Sequence, residues 1–288
     1  MISRMFLNIG VALLIVITLF PFFWVVRTSL TPHGAMYSEA TKIFPSEPTL
    51  SNYARVLGLV DQVTAIKLGG SGQKVNFLIN LKNSFIVAVC VTLFQVIFSA
   101  MAAYAFARLK FPFRNTIFGI YIATMVIPGI VMTIPNFIMV KNLGLLNTFP
   151  GIMAPVLLMT PFSVFFLRQF FLSINPELEE AAMIDGAGQY LTFGSIILPL
   201  SQTALVTLAV ITFISTWNDY MWPLIVGKQE NMRTLTVALG IFRSQVPQGQ
   251  PDWGGLMAGT VLAIIPVLIM FTVFGKKIVN SIGFNGFR

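Results

Sequence analysis

Long runs of apolar residues, separated by shorter polar stretches, dominate the chain. A bilayer core requires about 20 apolar residues per helix, and six runs are long enough. They fall at residues 5–26, 85–107, 117–140, 152–171, 200–226 and 256–275. Prolines interrupt several of these runs, which membrane helices tolerate when neighbouring groups satisfy the freed carbonyls. The pattern predicts an all-α integral membrane protein, with six transmembrane helices in a single domain that spans residues 1–288.

The composition supports an integral membrane protein and argues against a nucleic-acid-binding or metal-binding protein. Of the 288 residues, 56% are hydrophobic and only 10% are charged, and the mean hydropathy is +0.83. The net charge of +8 is carried by residues scattered singly between apolar runs, so it does not indicate a nucleic-acid partner. A single cysteine and a single histidine exclude a cysteine metal cluster and multi-histidine chemistry. We therefore predict no metal site.

The sequence also lacks the motifs of an enzyme. It contains no G-x-x-x-x-G-K-[ST] phosphate loop, so this chain is not expected to hydrolyse ATP. The sole histidine, His33, lies in a loop rich in proline and glycine, and no set of nucleophile, base and acid surrounds it in the sequence. We predict no catalytic residues and no cofactor in this chain.

Basic residues cluster directly after the second and sixth predicted spans. They are Arg108, Lys110, Arg114, Lys276 and Lys277. The positive-inside rule assigns such clusters to the cytoplasm, which predicts cytoplasmic termini, an outer loop at 28–83 and a cytoplasmic loop at 175–199. The total number of lysines and arginines does not separate the two sides, because many lie in or beside the long loop, where the rule is weak.

A short helix is predicted near residues 50–57 of that loop. The first run is predicted to be retained as an anchor.

The loop 175–199 contains four of the ten acidic residues. Asn175 is predicted to cap a helix whose first residue is Pro176, and Gly186 is predicted to end it in a left-handed conformation. One face of this helix carries mostly small side chains at i, i+3, i+4, i+7 spacing: Leu178, Ala181, Ala182 and Asp185. Because so short a helix is marginal in water, we expect it to pack against another surface.

The same loop carries a family resemblance. The residues Glu180-Ala181-Ala182, then Gly186, then Ile196-x-Leu198-Pro199 resemble the EAA loop of bacterial ABC-importer permeases. The longer form that begins at Glu179 is similar to the carbohydrate-uptake branch, especially its smaller, maltose-type second permease. The resemblance implies a type I ABC importer permease fold with a cytoplasmic EAA coupling helix. The ATPase-coupling residues that it implies are Glu179, Glu180, Ala181, Ala182, Asp185 and Gly186.

A second resemblance lies in the fifth run, where residues 217–224 are similar to a signature of the same branch. An acidic side chain at mid-span costs about 2.5–3.5 kcal/mol on insertion scales, so Asp219 requires a reason to be there. Polar and aromatic side chains are what a sugar contacts, which makes Trp217, Asn218, Asp219 and Tyr220 substrate-pathway candidates. A structural alternative, an aromatic belt with an interhelix clamp, is preferred over contact with resting substrate.

The loop between the fifth and sixth runs is polar. In the maltose-type family this outer loop reaches into the cleft of the binding protein and helps to displace the sugar. Gln245, Gln248, Gln250 and Asp252 are candidates for contact with a binding protein, by their position in this loop.

These features predict a transmembrane subunit of an ATP-driven importer for a sugar or sugar-like polyol in the cytoplasmic membrane of a bacterium or archaeon. The resemblance implies four partners: a second homologous permease subunit, a dimer of cytoplasmic ATPases that bind ATP and Mg²⁺, an extracytoplasmic solute-binding protein and the lipid bilayer. Three alternatives remain open. They are an ABC permease for amino acids, polyamines or phosphate, an ion-coupled secondary carrier and, least favoured, a membrane-anchored enzyme.

Overall fold

The computed structural model of the chain describes residues 2–69, 75–244 and 251–283, which form fifteen α-helices and no strand. In chain order the first eight helices are α1 (Ile2–Ser29), α2 (Ser51–Val56), α3 (Gln62–Lys67), α4 (Phe77–Arg108), α5 (Arg114–Ala123), α6 (Thr133–Asn142), α7 (Phe149–Met153) and α8 (Pro161–Leu172). The other seven are α9 (Glu177–Ile184), α10 (Gln189–Thr192), α11 (Leu198–Leu200), α12 (Gln202–Trp217), α13 (Met221–Val226), α14 (Leu235–Ser244) and α15 (Trp253–Gly283).

Within the described part of the chain, three helices are long and apolar enough to cross a membrane: α1, α4 and α15. They have 28, 32 and 31 residues, respectively. At about 1.5 Å per residue, each exceeds the thickness of a hydrocarbon core, about 30 Å. The first, second and sixth predicted runs are therefore continuous helices, each somewhat longer than predicted.

The third run is a bent pair of helical segments. Arg114–Val126 and Gly129–Asn142 meet at an angle of 95°. The bend falls at Pro128, and the preceding Ile127 is extended, with φ −71° and ψ 118°. A proline ring disfavours helical backbone at the residue before it, which explains the break. Pro135 lies in the first turn of α6 and causes no further interruption.

The fourth and fifth runs are also divided, at or near their prolines, into shorter helices. In the fourth run, α8 starts only at Pro161, and its 12 residues extend over about 18 Å. In the fifth run, α12 ends at Trp217 and α13 starts at Met221. Pro223 accounts for this gap, because its ring clashes with the carbonyl four residues earlier in a continuous helix.

A second bent pair precedes this gap, where Gln189–Leu200 meets α12 at 77°. Much of the predicted loop 175–199 is therefore helical. In the described residues, three long helices and two bent pairs make at most five membrane crossings by length and composition. The count of six spans stays a prediction.

The chain packs as two compact units, described here one at a time. The first comprises Met1–Leu81 and Thr234–Pro266, and the second comprises Lys82–Arg233 and Val267–Arg288. In the first unit, the short helix predicted in the long loop is confirmed as α2. Its Asn52 side chain donates to the carbonyls of Ser29 and Thr31 at 2.8 and 2.9 Å, which ties α2 to the end of α1.

In the second unit, small side chains allow α4 to pack closely against its neighbours. Ala100, Ala103 and Ala107 recur about once per helical turn and are almost fully buried. They share a core with Leu167 and Phe171 of α8, both 0% exposed. Small residues let helix backbones approach each other within a membrane. These two closely packed helices, α4 and α8, lead to the loop 175–199 and line the cavity of the candidate site.

Candidate functional site

The short helix predicted in the loop 175–199 is present as α9. Asn175 accepts a hydrogen bond from the backbone N–H of Glu177 at 3.1 Å and donates to the carboxylate of Glu177 at 3.0 Å. Pro176 has helical φ and ψ but stands at the cap position, so the helix begins one residue later than predicted. Gly186 has φ +85°, which confirms the left-handed stop.

Glu179 points into the subunit. Its Oε1 lies 2.5 Å from Nε of Arg108, the last residue of α4, and the two side chains are 7% and 14% exposed. The two atoms are not aligned as a hydrogen bond, so the contact is a close ion pair. Arg108 also donates from Nη2 to the carbonyl of Ile174 at 2.6 Å. One arginine therefore holds both α9 and the chain that leads into it.

The opposite side of α9 is open. Glu180, Ala181 and Asp185 are exposed, and Ala182 is partly buried. Large apolar side chains surround them and are also exposed: Leu178, Met183, Ile184, Tyr190 and Leu191. Tyr190 is 92% exposed and Ile184 is 86% exposed. Contiguous apolar surface of this kind, next to charged groups, marks a site of interaction with another protein or a membrane.

The four substrate-pathway candidates lie in different surroundings. Trp217 is 3% exposed and stacks on Phe213, with ring centroids 5.6 Å apart. Asn218 is exposed and donates to the carbonyl of Ile214 in its own helix at 2.9 Å. Tyr220 is 42% exposed. The remaining residue, Asp219, is the one of the four that lines a cavity.

Asp219 lies in the gap between α12 and α13. There the backbone N–H groups of Met221 and Trp222 donate to its carboxylate. Freed N–H groups at the start of a helix stabilise an acidic side chain. The break caused by Pro223 therefore explains how a carboxylate is held within an apolar segment.

The cavity has a volume of about 340 Å³, at the small end of the range for ligand pockets, about 300–1,000 Å³. Its lining combines an apolar part with a polar part. The apolar side chains are Val87, Val91, Ile152, Val156, Phe162, Ile211 and Pro223, and the polar ones are Gln95, Thr160, Ser163, Thr212, Ser215, Thr216 and Asp219.

Hydrogen bonds join the polar side chains of α4 and α8 at this cavity. Gln95 is 6% exposed and donates from Nε2 to Oγ of Ser163 at 2.6 Å and to Oγ1 of Thr160 at 3.2 Å. The two hydroxyls are 2.7 Å apart. Buried polar groups that satisfy one another in this way hold a fixed geometry.

Sequence reasoning missed six of the seven polar lining residues. It treated residues 217–220 as one contiguous motif, although consecutive helical residues point in different directions. A usable signal was present, because Thr212, Ser215, Thr216 and Asp219 have the i, i+3, i+4, i+7 spacing of one helical face. Gln95, a lone amide in a long apolar run, was the corresponding signal in α4.

The binding-protein candidates Gln245, Gln248 and Gln250 lie outside the described residues. Asp252, suggested by position, is 1% exposed and paired with Arg55, so it is not available for contact with a binding protein. Among the residues that the structure describes, no group of three or more His, Cys, Asp or Glu side chains is arranged to hold a metal ion.

Long apolar helices, an exposed amphipathic loop helix and a polar cavity between helices together define a multi-pass membrane protein of the transporter class. A model of the family described as "Binding-protein-dependent transport system inner membrane component" matches residues 95–282. The chain belongs to this family. It is thus a transport component of an inner membrane rather than an enzyme.

Sequence similarity to known relatives extends over nearly the whole chain. The trehalose/maltose transport system permease protein MalG of Thermococcus litoralis is 34% identical, covering 97% of this chain and 95% of the relative. The diacetylchitobiose uptake system permease protein NgcG of Streptomyces coelicolor is 32% identical, covering 99% and 90%. The sn-glycerol-3-phosphate transport system permease protein UgpE of Agrobacterium fabrum is 30% identical, covering 98% and 96%.

Solved structures share the fold. A chain in the crystal structure of a bacterial ABC transporter involved in the import of the acidic polysaccharide alginate superposes with a TM-score of 0.79 at 24% identity. A chain of the alginate transporter in complex with its alginate pentasaccharide-bound periplasmic protein gives a TM-score of 0.60 at 16% identity. Each match covers 96% of both chains. These likenesses establish a type I ABC permease fold.

Proposed function

We propose that this chain is the transmembrane subunit of an ATP-driven ABC importer that carries a sugar or sugar-like polyol across the cytoplasmic membrane by alternating access. Membership of a binding-protein-dependent transport family supports the importer class. The printed functions of the relatives support the solute class, since they concern trehalose or maltose, diacetylchitobiose and sn-glycerol 3-phosphate. All of these solutes carry at least two free hydroxyl groups.

In this proposal the chain crosses the membrane six times, with both termini in the cytoplasm. It pairs with a second homologous permease subunit, and a dimer of ATPases binds ATP and Mg²⁺ on the cytoplasmic side. An extracytoplasmic binding protein delivers the solute, and Gln245, Gln248 and Gln250 contact it. The family description, which names a binding-protein-dependent system, supports this last partner.

The observation that carries the proposal is the two-sided character of α9. One side is held inside the subunit by the contact between Glu179 and Arg108. The other side exposes Glu180, Ala181 and Asp185 beside large apolar side chains. A helix that is anchored on one side and uncovered on the other is suited to transmit the movement of a docked partner.

The coupling mechanism follows from these contacts. The exposed side of α9 sits in a cleft of an ATPase subunit, where Ala181 and Ala182 allow close approach and Glu180 supplies a charged contact. When ATP closes the ATPase dimer, the cleft moves and carries α9 with it. Arg108 passes the displacement to α4, because its guanidinium contacts both Glu179 and the carbonyl of Ile174.

Uptake by proteoliposomes tests the proposed function. The chain is reconstituted with its genomic neighbours and supplied with trehalose, maltose, diacetylchitobiose and sn-glycerol 3-phosphate, with and without this chain and with and without ATP. We expect uptake that requires both the chain and ATP. Uptake by the chain alone, insensitive to ATP and abolished by an ionophore, would instead identify an ion-coupled carrier.

A glycine pair in the coupling loop tests the coupling mechanism. Gly186→Val places a β-branched residue at φ +85°, which such side chains rarely adopt, and should abolish coupled uptake while the subunit remains in the membrane. Gly188→Val is the matched control, because Gly188 has φ −75° and a Cβ there meets no atom within 4 Å. Uptake by the Gly186→Val complex at the rate of the control would contradict the coupling role of α9.

A further inference from the structure

The polar cavity lies between helices that connect it to α9. Gln95 stands 13 residues before Arg108 on α4, which corresponds to about 20 Å along the helix. Thr160 and Ser163 stand at the start of α8, whose end leads directly to α9. Two of the helices that line the cavity, α4 and α8, therefore also lead to α9. They connect the cavity to α9 along the chain and through Arg108.

The lining of the cavity has a definite chemistry. Its described side chains offer one amide, five hydroxyls and one carboxyl, together with aliphatic side chains and the ring of Phe162. Hydroxyl and amide groups both donate and accept hydrogen bonds with the hydroxyls of a sugar, and a carboxylate accepts them. The apolar side chains fit the C–H faces of a sugar ring. The cavity thus combines a few convergent polar groups with apolar walls, as small-molecule sites do.

The charge of the lining narrows the class of solute. Among the fourteen described residues that line the cavity, none is lysine, arginine or histidine, and the one ionisable side chain is the carboxyl of Asp219. Arginine and lysine are the side chains that bind phosphate and carboxylate groups in proteins. An anionic solute would find no positive partner here and would face Asp219.

We infer that this cavity is a solute-binding site contributed by this subunit, and that it selects neutral polyhydroxylated solutes over anionic ones. The carboxyl of Asp219 and the hydroxyls of Thr212, Ser215 and Thr216 contact the hydroxyls of the sugar. Gln95 holds Thr160 and Ser163 in place as a positioning residue. This inference rests on the proposed function, because it concerns the solute that the importer carries.

A cysteine-protection experiment tests the site without the binding protein, whose own specificity would otherwise dominate. Cys90, the only cysteine of the sequence, is first replaced by alanine. Ser215→Cys then places a thiol in the cavity of the complex of both permease subunits with the ATPases. Labelling by a water-soluble thiol reagent is followed with added maltose, trehalose, diacetylchitobiose or sn-glycerol 3-phosphate.

We expect at least one of the three neutral sugars to slow labelling of Ser215→Cys, and sn-glycerol 3-phosphate to leave it unchanged. Asn218→Cys is the matched control, since Asn218 lies on the same helix turn but is exposed and outside the cavity. Its labelling should be the same with every solute. Asp219→Asn should raise the sugar concentration needed for half-protection by about tenfold or more. Thr216→Val should raise it by about two- to tenfold.

Three results would overturn the inference: no labelling of Ser215→Cys under any condition, no protection by any of the three sugars, or equal protection by sn-glycerol 3-phosphate. The uptake assay on the Cys90→Ala parent separates this failure from failure of the proposed function. ATP-dependent uptake without protection would leave the importer assignment intact and remove the cavity from the solute pathway. Protection without ATP-dependent uptake would support the cavity as a solute site and contradict the importer assignment.

Discussion

Two buried arginine–carboxylate pairs, one in each compact unit, are built differently. In the first unit, Arg55 binds Asp252 through two hydrogen bonds, from Nη1 at 2.5 Å and from Nη2 at 3.1 Å, and the side chains are 3% and 1% exposed. In the second unit, Arg108 meets Glu179 through a single close approach, and the side chains are 14% and 7% exposed.

The first pair also has more additional hydrogen-bond partners than the second pair. Arg55 also donates to Asn52 at 2.7 Å, and Asp252 accepts from the N–H of Gly255 at 2.8 Å. This network joins α2 to the start of α15. By contrast, Arg108 has one further partner, the carbonyl of Ile174, and it holds an eight-residue helix whose other side is exposed.

The two pairs therefore differ in how completely they are hydrogen-bonded. Buried ions are stable only when additional hydrogen bonds satisfy their remaining atoms. The first pair approaches that condition, although Nε of Arg55 has no hydrogen-bond partner. The second pair has one close contact and is more exposed, so we expect it to tolerate small displacements more readily. Four predictions test this contrast.

The largest effect is expected at the pair of Arg55 and Asp252. Asp252→Asn leaves the guanidinium of Arg55 buried without its counter-charge, and breaking a buried pair in this way costs about 3–5 kcal/mol. Thermal unfolding of the purified chain in detergent measures the loss. Asp61→Asn is the control, since Asp61 is an exposed helix cap. Equal stability of the two variants would show that the pair does not hold this unit together.

The second effect is expected at α9, and mainly in transport. Glu179→Gln removes the negative charge of the ion pair with Arg108, so we expect α4 to follow a displacement of α9 less closely. ATP hydrolysis by the complex should persist while uptake per ATP falls. Glu177→Gln is the control, because Glu177 is exposed on the same helix, where its carboxylate accepts a hydrogen bond from Asn175. A parallel loss of hydrolysis and uptake in Glu179→Gln would point to misfolding instead.

A third, smaller effect tests how tightly the first network is packed. A Cβ added at Gly254 would lie 2.7 Å from Oδ1 of Asn52, so Gly254→Ala should displace that side chain and destabilise the unit by about 1–3 kcal/mol. Gly119→Ala is the control: Gly119 lies within α5, where a Cβ meets no atom within 4 Å. The control should be neutral or slightly stabilising, since alanine favours a helix. A neutral Gly254→Ala would mean that Asn52 is free to move.

The smallest effect concerns an acidic residue that is hydrogen-bonded but not deeply buried. Hydrogen bonds from Ser46, followed by one from Lys42, lower the pKa of Glu39 from 4.5 to about 2. Because the folded state holds this proton less tightly than the unfolded chain, its contribution is complete above about pH 4.5 and is lost as the pH falls through about 2.

Carboxyl NMR titration of Glu39 checks this prediction and should give a midpoint near 2. Glu39→Gln should remove the corresponding acid sensitivity of the loop, whereas Glu47→Gln, at an exposed position nearby, should not. A Glu39 midpoint close to 4.5 would show that its hydrogen bonds do not persist in solution.

The sequence by itself determined the class of protein and its local elements. The apolar runs predicted α1, α4 and α15, because a membrane helix is recognisable from about 20 consecutive residues. The loop at residues 175–199 predicted both a short helix and its stop at Gly186, since caps and left-handed glycines act within a few neighbouring residues. The family resemblance in that loop was confirmed by the family model and the relatives.

The tertiary structure decided what each side chain faces. Glu179 and Glu180 are neighbours with the same chemistry, yet one is paired inside the subunit and the other is exposed. Trp217 and Asp219 belong to one short motif, but only Asp219 reaches the cavity. Such differences depend on which faces of distant helices meet. A sequence pattern fixes the faces of each helix, whereas packing between helices selects the partner of each face.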